Sequence, residues 1–141
     1  MAFYNTNKLR EVYLSNSVET QSQGKLMIML YDGAIRFIDN AKEAIEKRET
    51  ELVAMRRIEA LEEIHSNIIK AQNIILEFRK TLVDDGGELF GQLDSLYAFL
   101  YSELVSANYN KNGTDLTQVK ETLEHVKKSL SELRSTWIEV M

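Results

Sequence analysis

Residues 116–137 read LTQVKETLEHVKKSLSELRSTW, and this stretch decides the architecture. Leu116, Val119, Leu123, Val126, Leu130, Leu133 and Trp137 recur at spacings of three and four. At 3.6 residues per turn these side chains fall on one stripe. The opposite face is Lys, Glu, Ser, Thr or Arg. The pattern predicts an amphipathic helix with one face to bury, closing a bundle of similar helices. Upstream, Asn110-Lys111-Asn112-Gly113 reads as a loop, and Thr114 or Asp115 can cap the helix. If Asp115 is the cap, Gln118 completes a capping box.

Working towards the N-terminus, Asp84-Asp85-Gly86-Gly87 is a second turn signal. Glycine tolerates positive φ there, and Asp favours local side-chain bonds. Between the two loops a helix is predicted from about Glu88 to Asn108. Before them, helices are predicted over about Gly24–Arg48 and from beyond Thr50 to about Leu82, with Ser22 or a neighbour as first cap. Residues 1–20 are polar with scattered apolar side chains, so the chain divides into a lead segment over 1–20 and a helical domain over 21–141. Four helices of this length, joined by short connections, predict an all-α antiparallel four-helix bundle.

Composition agrees. The 141 residues contain no proline, where average usage of about 5% would place roughly seven. Proline removes a helical donor and clashes with the preceding turn, so its absence favours long helices. Without cysteine there is neither a disulfide framework nor a thiolate metal site. Lys8, Arg10, Glu11 and Glu19 interrupt the first twenty residues, so no secretory core is expected there. No apolar run approaches the ~18 residues of a spanning helix. The expected location is the cytoplasm, without membrane insertion. Net charge is −5, from 22 acidic and 17 basic side chains, and the basic residues cluster no more tightly than in pairs such as Arg56-Arg57. A nucleic-acid partner is not expected.

Two helices carry more apolar surface than one bundle face needs. On the first, Leu26, Leu30, Ala34, Phe37 and Ala41 make one stripe, predicted as core. Ile28, Tyr31, Ile35 and Ile38 make a second, turned by roughly 120°. On the third, Leu89, Leu93, Leu96, Leu100, Leu104 and Ala107 make the predicted core stripe. Phe90, Tyr97 and Tyr101 flank it, with Val105 further round. Two readings fit: central helices of an irregular bundle, or a groove for a partner helix lined by rigid aromatic side chains.

Catalytic and metal chemistry find little support. Glu62 and His65 form one Glu-x-x-His, but a di-iron bundle needs a second such pair, and His125 is preceded by Thr122. His125 faintly resembles a phosphate-accepting histidine, without the glycines usual around it. No nucleophile elbow, phosphate-binding glycine loop or calcium loop is present. The expectation is a binding protein, not an enzyme, with no cofactor. A phosphotransfer-type or homodimerising helical adaptor is the alternative.

The ordered set of motifs resembles the flagellar export chaperone family FliS. The resemblance begins with Tyr13-Leu14-Ser15-Asn16-Ser17-Val18-Glu19-Thr20 and Leu30-Tyr31-Asp32-Gly33-Ala34. It continues through Gly86-Gly87-Glu88-Leu89, Leu96-Tyr97, Phe99 and Leu104-Val105-Ser106-Ala107-Asn108, and closes on Leu130-Ser131-Glu132-Leu133-Arg134-Ser135-Thr136-Trp137. Gln21-Ser22-Gln23 stands where the family usually has Ala-Ser-Pro. The resemblance implies a bundle that binds the disordered C-terminal segment of flagellin as helices in apolar grooves, prevents premature polymerisation, and delivers it to an export gate component of the flagellar type III apparatus. Together with the stripes, it implies partner-binding roles for Tyr13, Ile28, Tyr31, Ile35, Phe90, Tyr97, Tyr101, Val105 and Asn108. Tyr13 would be a lid or a gate contact.

Overall fold

The computed structural model describes residues 21–82 and 87–140, and the expected lead segment over 1–20, with Tyr13, lies outside them. Four helices account for nearly all the described residues: α1 Gln21–Thr50, α2 Ala54–Thr81, α3 Glu88–Asn110 and α4 Thr117–Val140. No strand occurs among the described residues. Each helix packs on its neighbours in the order α1–α2–α3–α4, and α4 returns to α1.

Side-chain pairs show that neighbours run antiparallel. Along α1 and α4, Asp32 meets Arg134, Asp39 meets Lys127, Lys42 meets Glu124 and Glu49 meets Lys120, so the numbering rises on one helix as it falls on the other. Phe78 and Arg79 of α2 meet Tyr97 and Asp94 of α3, while His65 meets Asn108. Lys47 meets Glu63, and Tyr31 stacks on Phe78, which sets α2 against α1 in the same sense.

Local chemistry explains the ends. The Thr50 hydroxyl donates to the Glu46 carbonyl at 3.0 Å as α1 closes. The Glu51 carboxylate then accepts from the amides of Leu52 and Val53, both at 3.1 Å, satisfying donors that the turn would otherwise leave open. Just before α4, Asp115 accepts from the Thr117 amide at 3.0 Å and so satisfies one of the first open donors of the helix. That bond holds the Asp115 carboxyl below the usual carboxylate range. Helix α1 is described from Gln21 onward.

The core of α4 is the predicted stripe, with all seven of its side chains buried. The core of α1 corrects the prediction. Leu26 is 55% exposed, and Leu30 and Phe37 are only partly buried. The buried line is Tyr31, Ala34, Ile38, Ala41, Ala44 and Ile45, taking members from both predicted stripes. Helix α1 contacts α2 on one side and α4 on the other, so its buried arc straddles the stripes, and alanines occupy the close approach. Gly33 belongs to it too: a Cβ there would sit 3.4 Å from Ile74 Cδ1.

Tyr31, Phe78, Tyr97 and Trp137, one from each helix, form an aromatic knot inside the bundle. The Tyr31 and Tyr97 hydroxyls hydrogen-bond at 2.7 Å, and the Trp137 indole N–H donates to the Tyr31 oxygen at 3.2 Å. Phe78 lies 4.3 Å from the Tyr31 ring and 5.4 Å from that of Tyr97. The apolar rings supply buried area, while the polar tips satisfy one another, as buried tyrosines and tryptophans require.

Candidate docking surfaces on the third helix

Helix α3 has apolar surface on both flanks of its buried line. On the flank towards α2, Arg79 grips Asp94 with two bonds of 2.9 and 3.2 Å. Those bonds hold the Asp94 carboxyl below its usual range against the opposing effect of desolvation. Further along the same seam, His65 Nδ1 lies 3.2 Å from Asn108 Oδ1. The Lys111 ammonium donates to the Asn108 carbonyl at 3.0 Å. The two polar clasps stand about four turns apart on each helix, roughly 21 Å at 1.5 Å per residue.

Between the clasps the seam is mostly apolar. Helical spacing puts Ile69 and Leu76 on the flank of α2 that carries His65. The same argument puts Tyr101 and Val105 on the flank of α3 that carries Asp94 and Asn108. Tyr101 is partly buried and Val105 is 43% exposed. Beyond the His65–Asn108 clasp the strip continues through the exposed Ile58 and through Tyr109, 83% exposed.

The flank towards α4 carries an open depression lined by Glu88, Gly91, Gln92, Ser95, Leu96 and Phe99. Phe99 is 50% exposed and meets His125 of α4 edge-on at 6.1 Å. Gly91 leaves open space, since a Cβ there would meet nothing within 4 Å.

The expected site residues therefore separate into groups. Phe90, Tyr101, Val105 and Asn108 share the α2 flank of α3. Among them Asn108 is buried in the clasp and Phe90 is partly exposed. Ile28 and Ile35 lie one turn before Asp32 and Asp39, on the α4 side of α1, and pack partly against the core. Tyr31 and Tyr97 differ from the expected placement beside the core line: both are buried in the aromatic knot. Their hydroxyls find partners across the bundle, so a tyrosine that looked surplus by spacing is accommodated inside.

Sequence reasoning did not identify the contribution of α2. Ile58, Ile69 and Leu76, spaced by eleven and seven, sit off the buried line Ile64–Ile68–Ile75, and that offset was the available signal. His65 serves the clasp. Among the described residues no group of three or more His, Asp or Glu side chains gathers into a cation site. No described helix is long and apolar enough to cross a membrane.

The family model described as "Flagellar protein FliS" matches residues 5–141. The chain is 35% identical over 125 residues to the flagellar secretion chaperone FliS of Bacillus subtilis strain 168, covering 89% of this chain and 80% of that protein. It is 30% identical over 129 residues to the flagellar secretion chaperone FliSB of Pseudomonas aeruginosa, covering 91% and 88%. To the flagellar secretion chaperone FliS of Vibrio cholerae it is 25% identical over 125 residues, covering 88% and 84%.

Proposed function

The chain belongs to the FliS family of flagellar proteins, and from that premise we propose that it is a cytoplasmic export chaperone whose cargo is the C-terminal helical region of flagellin. On this reading the chaperone receives the cargo on the apolar flanks of α3, keeps it from polymerising early, and presents it to a gate component of the flagellar type III export apparatus. The single observation that carries the reading is the surface of α3. Its inner line is fully packed, yet Phe99, Val105 and Tyr109 remain exposed on its outside.

Polymerisation of a filament protein depends on helices that associate through apolar faces. A chaperone opposes it by covering those faces with a surface of the same character. The α2–α3 seam suits an incoming helix because its two walls are already held at a fixed separation by the clasps at its ends. Burying the remaining surface of about five side chains, at roughly 1 kcal/mol each for half-exposed groups, supplies on the order of 5 kcal/mol gross. Ordering a disordered segment consumes part of that, which leaves a complex that can be released at the gate.

The family is a non-catalytic class, and the surfaces on α3 need no chemistry beyond shape and desolvation. Calorimetric titration with a flagellin C-terminal peptide tests the proposal. The expected result is a saturable one-to-one complex, accompanied by a gain of helical circular dichroism in the peptide. Absence of binding by the folded protein at high micromolar concentration would reject it.

A further inference from the structure

Halfway along the α2–α3 seam, one group is left unsatisfied by the fold. Gln72 is only 6% exposed, and its Oε1 is buried without a hydrogen-bond partner. Among the described residues no other buried side-chain oxygen or nitrogen is in that position. An acceptor taken from water and left unpaired costs about 1–3 kcal/mol. Leucine or methionine would fill similar space without that cost.

Its place is specific. Gln72 lies two turns from His65 and two turns from Arg79, midway between the clasps and on their face of α2. The antiparallel register puts Tyr101 level with it, two turns from both Asp94 and Asn108. An unpaired acceptor thus sits at the centre of the apolar seam, level with the half-buried Tyr101.

We propose that Gln72 reads a hydrogen-bond donor on the cargo. The occupant is an amphipathic helix whose apolar face carries one donor side chain (Asn, Gln, Ser or Thr) at its middle. That donor bonds Gln72 Oε1 when the helix seats against Tyr101. The inference rests on the flagellin reading of the seam and adds to it a device for register. Sliding the helix by one turn would bury the donor and the acceptor apart, which penalises every misaligned complex. Apolar contacts alone discriminate poorly between registers, because one turn of Leu and Ile resembles the next.

The test uses the full chain, its Gln72→Leu and Gln72→Met variants, and a flagellin C-terminal peptide. A companion set of peptides has each Asn, Gln, Ser or Thr replaced in turn by Ala. Both variants are expected to melt at or above the wild-type temperature and to bind the parent peptide about 5–10-fold more weakly, the value of one net hydrogen bond. One peptide substitution should weaken binding to the wild type by a similar factor and leave binding to the variants unchanged. Equal affinity of wild type and variants for the parent peptide would overturn the proposal. So would peptide substitutions that weaken all three proteins alike. If the wild type binds no peptide at all, the flagellin reading itself fails and takes this inference with it; parent-peptide binding without coupling fails the inference alone.

Discussion

Two tyrosines one turn apart on α3 separate core from docking surface. Tyr97 is 3% exposed, hydrogen-bonded to Tyr31, and packed against Phe78. Truncating a buried aromatic to alanine costs about 3–5 kcal/mol, because transfer energy and cavity add. A chain of this length unfolds with an entropy on the order of 0.3 kcal/mol per degree, so Tyr97→Ala should lower the melting temperature by about 10–15 °C. Tyr97→Phe keeps the ring and loses the bond to Tyr31, which predicts a cost of about 1 kcal/mol, or roughly 3 °C. Tyr101 already exposes part of its ring, so Tyr101→Ala should cost about 1–1.5 kcal/mol of stability. Its larger effect should fall on peptide binding, by about 2 kcal/mol or roughly 30-fold if Tyr101 is a hot spot. Thermal melts followed at 222 nm and calorimetric affinities on the same three variants test this division. Equal melts for Tyr97→Ala and Tyr101→Ala, with wild-type affinity retained by Tyr101→Ala, would refute the assignment of Tyr101 to the docking seam.

Three further expectations follow from particular contacts. Gly33→Ala should raise the melting temperature by a few degrees, since Gly costs a helix interior about 0.5–1 kcal/mol and the new methyl meets only the flexible tip of Ile74; a lower melt would show that α1 and α2 have no room to spare. Gly91→Trp should fill the depression beside Phe99, weaken peptide binding and leave the melt nearly unchanged, whereas unaltered affinity would remove the α4 flank from the cargo surface. Asp94, Asp115 and Glu124 are held below the usual carboxylate range by Arg79, by the Thr117 amide and by Lys42 respectively. Stability from such groups is complete above their ordinary pKa values near 4 and is lost as pH falls through the depressed ones. Melting temperature should therefore hold steady from neutrality to about pH 5 and fall below pH 4, less steeply in Asp94→Asn.

The four described helices, their approximate limits and the inner face of α4 are local properties, and the sequence determined them alone. The breaker at residues 110–113 closes α3 by local preference alone. A helix with one apolar stripe has only one way to face a core. The Asp115 bond to the Thr117 amide is equally local, since a short carboxylate two residues before an amide needs no tertiary help. Helix α1 is different. Its two stripes made either orientation acceptable by spacing, and the choice fell to its neighbours. With α2 on one side and α4 on the other, Ala34 and Ala41 were drawn in from one stripe and Tyr31 and Ile38 from the other, while Leu26 was left outside. Only the assembled bundle could bring Tyr31, Phe78, Tyr97 and Trp137 together, and with them the partners that let two tyrosine hydroxyls be buried. The docking seam is tertiary for the same reason. Its two walls belong to different helices, and its unpaired acceptor is identified by which groups fail to reach Gln72, a property of the packed bundle that sequence spacing does not contain.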